Sequence, residues 1–165
     1  METSQISPSL TTIFSELVDG AAPGGGAFVL NSGDAGLLAS LDKLSAADAS
    51  RSMHGGATIA AHALHLRYDL ELMNRWASEG GNPFADAKTE EAWKTSSVDD
   101  DGWAEIRAGL RNEAHRWLRA LGSRRDVSTF ELSGMIGSIA QLAYHMGAIR
   151  QIASSARGPR EGTFR

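Results

Sequence analysis

Two short stretches of the chain carry imidazole side chains at helical spacing. In "HALHLRYD", His62, His65 and Asp69 follow one another at intervals of three and four residues, so on a helix they lie along one edge. In "QLAYH", Gln141 and His145 are four residues apart and share a helix face in the same way. Imidazole nitrogens bind zinc, nickel, iron and copper, and a catalytic ion usually has three protein ligands and one open position. The two stretches therefore predict a metal site, provided that their helices face each other.

We expect His65 and His145 to be two of the ligands, with Gln141 in the third position. Glutamine is a weak third ligand, because its amide offers only a neutral oxygen to an ion that prefers nitrogen here. His62 is the alternative third ligand. Asp69, one turn after His65, is placed to accept the second ring proton of His65 and to fix its tautomer. A separation of more than about 8 Å between the rings of His65 and His145 would exclude a shared ion, since metal–nitrogen bonds are about 2 Å long.

The simpler alternative is a set of histidines without an ion. Histidines on the shoulder of an apolar stripe commonly hydrogen-bond to neighbouring side chains and to water. Spacing does not distinguish this arrangement from a metal site.

Four helical segments must position these residues. The second segment contains the first histidines: Thr58 is a suitable cap, an apolar stripe recurs at helical spacing, and Gly80 and Gly81 end it. The fourth segment, from Gly134 onward, contains Gln141 and His145. The apolar stripes are Ile59, Ala63, Leu66, Leu70, Met73 and Ala77 in the second segment, and Met135, Ile139, Leu142, Met146 and Ile149 in the fourth.

The first segment is predicted to be a broken helix. "PSLTTIFSELVDG" and "AGLLASLDKLSAADAS" have helical spacing, but six glycines and a proline in "GAAPGGGAFVLNSGDAG" interrupt them. The third segment, "DDDGWAEIRAGLRNEAHRWLRALGSRR", has acids at its start and arginines at its end, which suits the helix dipole. A long polar loop precedes it, and we expect Phe84 and Trp93 in that loop to fold back onto the bundle. "STFEL", before the fourth segment, is predicted to be a short extended connection.

Composition restricts the class of protein. A chain of 165 residues that is 42% hydrophobic and 22% charged suits one globular domain, residues 1–165, and the four apolar stripes make it an all-α helix bundle. The net charge of -4, without a basic cluster, argues against a nucleic-acid partner. The absence of cysteine excludes thiolate sites and is consistent with a cytoplasmic location. No apolar run is long enough to predict a membrane span.

These motifs resemble the DinB/YfiT-like superfamily of small bacterial four-helix-bundle proteins. "TIAAHALHLRYDLELMNRW" is similar to the family's second helix, in which the metal-binding histidine corresponds to His65. "IAQLAYHMGAIRQI" is similar to its last helix: His145, Gly147 and Arg150 match, and Gln141 stands where the family has a histidine. The resemblance implies an up-down-down-up bundle with a broken first helix and a long loop between helices 2 and 3. It also implies a site for a divalent metal such as zinc or nickel, and often a homodimer.

Two functions are compatible with these residues. The resemblance implies metal-assisted chemistry such as thiol transfer or hydrolysis, here at a site that the loss of a histidine at position 141 has degraded. The alternative is a metal-free bundle that binds a small polar ligand or a protein partner through the same groove, without catalysis.

Overall fold

A computed structural model describes residues 2–24 and 26–160, and these residues form helices and loops without a strand. The all-α prediction is confirmed. None of the helices within the described ranges is both long and apolar enough to cross a membrane. Two 3-10 turns, Thr89–Lys94 and Ser154–Ala156, accompany six α-helices, which are α1 (Ser7–Asp19), α2 (Gly36–Asp42), α3 (Ala46–Ala49), α4 (Ile59–Glu79), α5 (Asp100–Gly122) and α6 (Thr129–Ile152).

The ends of α4 follow local sequence rules. The hydroxyl oxygen of Thr58 accepts a hydrogen bond from the N–H of Ala61 at 3.1 Å, which caps the first turn. At the other end, Gly80 has a φ of 74°, a left-handed conformation that glycine adopts at little cost. The helix that carries His62 and His65 is therefore bounded as the sequence predicted.

The start of α6 differs from the prediction. We expected an extended "STFEL" and a helix from Gly134, but α6 begins at Thr129. The side chain of Ser128 accepts the N–H of Glu131 at 3.2 Å, and the Glu131 carboxylate accepts the N–H of Ser128 at 2.6 Å. This reciprocal pair is a capping box, and the spacing of Ser128 and Glu131 is its sequence pattern. The prediction was wrong because this capping box stabilises the first turn and so starts the helix five residues before Gly134.

The predicted apolar stripes form one contiguous core. Each fully buried leucine or isoleucine contributes roughly 1.5–3 kcal/mol relative to an exposed one. Ala77 and Ile139, at the margins of the stripes, are partly buried and pack against this core. The buried residues of the two stripes named above are Ile59, Ala63, Leu66, Leu70, Met73, Met135, Leu142, Met146 and Ile149. The third helical segment adds Trp103, Ile106, Leu110, Trp117 and Leu121, which recur at helical spacing and are also buried.

Side-chain contacts fix the relative directions of α4, α5 and α6. Near the start of α5, Glu105 pairs with Arg67 of α4 at 3.6 Å, and further along both helices the Asn74 side chain donates to the Glu113 carboxylate at 2.8 Å. The two helices therefore run in the same direction. Helix α6 runs opposite to α4, because Trp76 near the end of α4 donates to the Glu131 carboxylate in the first turn of α6 at 3.3 Å. The start of α4 consequently lies beside the end of α6.

Helix α1 runs opposite to α5. Just before α1, the backbone N–H of Thr3 donates to the carbonyl of Arg125, just after α5, at 3.0 Å. At the other end of α1, a carboxylate oxygen of Asp19 lies 2.9 Å from Nε2 of His115, in the middle of α5. The start of α1 is thus beside the end of α5.

The loop that interrupts the first helix is held by a buried carboxylate. Both oxygens of Glu16 accept backbone N–H groups, from Phe28 at 2.9 Å, Val29 at 2.8 Å and Leu30 at 2.6 Å. Burial by itself raises the pKa of Glu16, but these three donors outweigh it and hold the pKa below its ordinary value. The predicted break is therefore a loop fixed onto α1.

Candidate functional site

The rings of His62, His65 and His145, here called the histidine cluster, meet where the start of α4 faces the end of α6. The ring centroids of His65 and His145 are 5.0 Å apart, and those of His62 and His145 are 5.2 Å apart. Nδ1 of His62 lies 3.0 Å from Nδ1 of His145, so one of the two rings donates its proton to the other. The separation of His65 and His145 is well within the limit of about 8 Å that a shared ion requires.

Asp69 lies behind His65, where the sequence placed it. Its carboxylate oxygen Oδ2 is 3.1 Å from Nε2 of His65. In the neutral tautomer that donates from Nε2 to Asp69, Nδ1 of His65 carries a lone pair. This Nδ1 is buried and has no hydrogen-bond partner among the described residues. A buried ring nitrogen without a partner is uncommon and marks a position where a ligand atom could bind.

Trp93 covers the histidine cluster. It belongs to the 3-10 turn of the long loop, which folds back onto the bundle as predicted. The Thr58 hydroxyl anchors this part of the loop by donating to the Thr95 carbonyl at 2.7 Å. Phe84, for which we predicted the same, is 45% exposed. Trp93 is 38% exposed, so part of its ring system faces solvent, while His65 and His145 beneath it are 7% and 3% exposed. The centroid of the Trp93 ring system is 4.3, 5.4 and 5.7 Å from those of His65, His62 and His145 respectively.

Burial keeps two of the rings uncharged at neutral pH. Burial, together with the neighbouring His65 and His62 and against the opposing effect of Asp69, lowers the pKa of His145 to about 4. Burial, together with the proximity of His65, also lowers the pKa of His62. A neutral imidazole is the form that binds a metal or accepts a proton. His62 and His145 are thus held in the form that a metal site needs.

Gln141 does not join the cluster. It is exposed, one turn before the buried His145, and within residues 2–24 and 26–160 its side chain makes no hydrogen bond to the three rings. The third ring of the cluster belongs to His62, which the sequence offered as the alternative third ligand. Two α6 residues four positions apart share a face, but the neighbouring α4 covers only the C-terminal member of this pair.

The donor atoms of the cluster are not assembled around one point. In the described part of the chain, no group of three or more His, Cys, Asp or Glu side chains is arranged to hold a metal ion. The residue types, the neutral rings and the unpartnered Nδ1 of His65 fit a metal, whereas the hydrogen bond between His62 and His145 satisfies two of the three rings without one. The ligand roles of His65, His145, Gln141 and His62 therefore stay predictions.

A buried ion pair lies one turn beyond the cluster on α6. The Arg150 guanidinium donates to both oxygens of Asp34, each at 2.8 Å, and to the Ser40 hydroxyl at 3.2 Å. Burial raises the pKa of Asp34, but the hydrogen bonds from Arg150 and from the N–H of Gly36 outweigh it and keep the pKa below its ordinary value. Arg150 matches a motif of the resembled family, whereas its partner Asp34 is 116 residues away and carries no local signal in the sequence.

Comparisons with known proteins add no assignment. A scan against protein-family models, a search of curated proteins and a search of solved structures each found no match to this chain. The resemblance to the DinB/YfiT-like superfamily stays a prediction, which rests on the sequence motifs in α4 and α6 of this chain.

Proposed function

We propose that this protein is DinB-like and that its histidine cluster binds a divalent first-row ion, zinc or nickel, for metal-assisted chemistry such as hydrolysis or thiol transfer. His62, His65 and His145 would be the ligands, and Asp69 would orient His65. Such an ion, when bound, lowers the pKa of a coordinated water or thiol toward neutrality and so supplies a nucleophile. The observation that carries the proposal is the buried, unpartnered Nδ1 of His65, whose other ring nitrogen is held by a carboxylate.

The helix directions support the DinB-type arrangement. Helix α1 runs opposite to α5, α5 runs parallel to α4, and α6 runs opposite to α4. This is the order expected of an up-down-down-up bundle in which α1 and α2 are the two pieces of the first helix. The site of such a bundle lies between its second and last long helices.

Metal titration of tag-free, metal-free protein tests the proposal. We expect stoichiometric binding of Zn²⁺ or Ni²⁺ by calorimetry, and loss of that binding in His65→Ala and in His145→Ala. Gln141→Ala is the matched control: it removes a polar side chain from the same helix but, being exposed, should leave affinity unchanged. Asp69→Asn should weaken affinity by about 10–100-fold, because it removes the carboxylate that orients His65.

A second readout comes from Trp93, which lies against His65. Ni²⁺ bound at the cluster should quench Trp93 fluorescence, and Trp93→Phe should remove this response while the other three tryptophans remain. A wild-type protein that binds neither ion stoichiometrically would exclude the metal site. Equal losses of affinity in Gln141→Ala and His65→Ala would place the ion elsewhere.

The second candidate is a metal-free binding bundle. The 3.0 Å contact between the Nδ1 atoms of His62 and His145 favours it, because that hydrogen bond satisfies both rings without an ion. Under this alternative, no metal binds, and His65→Ala changes the free energy of unfolding but no metal-dependent property. The titration described above separates the two functions.

We also expect a homodimer, through the outer face of α6. This face exposes Phe130 by 83%, Ile136 by 52% and Tyr144 by 70%, and the helix has no Asp, Glu, Lys or Arg between residues 132 and 149. Two copies of an uncharged face can meet about a twofold axis without like-charge repulsion. Sedimentation should give a dimer for the wild type and for Ala108→Asp, an exposed position on α5, but a monomer for Tyr144→Asp. A monomeric wild type would refute this interface.

A further inference from the structure

A cavity with a basic lining lies at the same end of the bundle as the histidine cluster. It is an open cleft with a volume of about 930 Å³, lined by the loop before α2, the last turns of α6 and residues 154–160. Three arginines line it, Arg150, Arg157 and Arg160, together with the amide side chains of Asn31 and Gln151. Guanidinium and amide groups are all hydrogen-bond donors, so the lining suits an acceptor-rich ligand.

The described lining of this cavity carries more basic than acidic side chains. Asp34 is the acidic side chain in its lining, and the two-pronged contact with Arg150 neutralises it. Glu16, whose charge acts on Asp34, is itself engaged by three backbone N–H groups. Among the described lining residues, the Arg157 guanidinium therefore contributes positive charge that no acidic side chain balances.

Two hydrogen bonds hold the segment that carries Arg157 and Arg160 against the rest of the lining. Nε of Arg157 donates to the carbonyl of Arg150 at 3.0 Å, and the Asn31 side chain donates to the carbonyl of Pro159 at 3.3 Å. The first contact orients the Arg157 guanidinium through Nε and leaves its two Nη groups without a hydrogen bond among the residues that the structure describes. A planar pair of N–H donors matches the two oxygens of a carboxylate or phosphate.

We propose that this cavity binds an oxyanion, the carboxylate or phosphate group of a small molecule, with Arg157 as the principal donor. The pair of Arg150 with Asp34 supports the wall against which the anion lies. Gly147, which lines the cavity, is two residues after His145 on α6, so the oxyanion site and the histidine cluster occupy successive turns of one helix. The oxyanion site needs no metal ion and stands independently of the proposed metal site.

Calorimetric titration of the full chain with inorganic phosphate and with succinate, in EDTA and at constant ionic strength, tests this site. We expect saturable binding of at least one probe, and a loss of at least about tenfold in affinity in Arg157→Gln, equivalent to ~1.4 kcal/mol. The affinity of Arg157→Lys should lie between those of the wild type and Arg157→Gln, because lysine keeps the charge but lacks the paired N–H donors of a guanidinium. Arg119→Gln is the matched control, since it removes the same charge from an exposed position on α5.

The probes also distinguish the source of the oxyanion. Tighter binding of phosphate indicates a phosphorylated ligand, and tighter binding of succinate indicates a carboxylate. Arg157 is exposed, so its replacement should leave the fold intact, which circular dichroism verifies. The proposal is overturned if neither probe saturates, or if Arg157→Gln and Arg119→Gln weaken binding equally, which would reflect net charge rather than a site.

Discussion

Protonation of His145 should destabilise the folded protein as the pH falls below about 6.5, and the replacement His145→Gln should remove this effect. The ring is buried, 3% exposed, against His62, His65 and Trp93. In the unfolded chain it would be solvated and would titrate near the ordinary histidine value of 6.5. The folded state therefore resists a proton that the unfolded state accepts.

The magnitude follows from the two pKa values. Because the folded pKa is about 4, the unfolded state binds more protons between pH 6.5 and about 4, so stability falls with pH across that window. The full difference between the unfolded and folded pKa values corresponds to about 3 kcal/mol of unfolding free energy, of which about 2 kcal/mol is lost by pH 5. The lowered pKa of His62 acts in the same direction. The lowered pKa values of Glu16 and Asp34 reduce stability only below their ordinary values of 4.5 and 3.8, so the range above about pH 5 isolates the histidines.

Urea unfolding at several pH values between about 8 and 5, with EDTA present, measures the effect. The informative quantity is the slope of unfolding free energy against pH, which a uniform loss of stability in a variant does not change. His145→Gln should flatten the slope, whereas His54→Gln, at an exposed loop position, should leave it as in the wild type. Parallel slopes for wild type and His145→Gln would show that burial does not hold this ring neutral.

Three further changes test the scaffold by urea unfolding at neutral pH. Asp34→Ala should cost about 3–5 kcal/mol, because it leaves Arg150 charged and largely buried without its partner, and a loss of less than half of this would mean that water replaces the carboxylate. Gly36→Ala should cost clearly more than Gly33→Ala: both glycines have φ near 80°, for which alanine costs roughly 1–2 kcal/mol, but only at Gly36 would a Cβ overlap the backbone at the end of α1. Similar losses at both glycines would contradict that close approach. Ser128→Ala should cost about 1 kcal/mol through the capping box, and an unchanged stability would show that the first turn of α6 is not limiting.

Much of the helical scaffold could be predicted from local patterns. The stripe of α4 from Ile59 to Met73 is read directly from the helical repeat, because burial of one face requires apolar residues every three or four positions. Thr58 and Gly80 could be predicted as its ends because a cap or a left-handed glycine acts within one turn. The start of α6 was predicted wrongly, although Ser128 and Glu131 have the spacing of a capping box, which is an equally local signal.

The composition of the candidate site could be predicted only in part. His65, His145 and Asp69 were identified because their spacing places each at an edge of a stripe, and the structure brings them together at the start of α4 and the end of α6. The choice between His62 and Gln141 could not be made in this way. Both are one helical turn from a buried histidine, and which of them turns inward depends on how α4 and α6 are rotated against each other.

The sequence by itself determined where the helices lie and which of their faces are apolar, because those properties depend on neighbours within one turn. Only the tertiary structure decided that Glu16 binds the backbone of Phe28, Val29 and Leu30, that Asp34 meets Arg150, and that Trp93 covers the histidines. These contacts join residues separated by 12 to 116 positions. They depend on how whole helices and loops dock, a property that short-range periodicity does not encode.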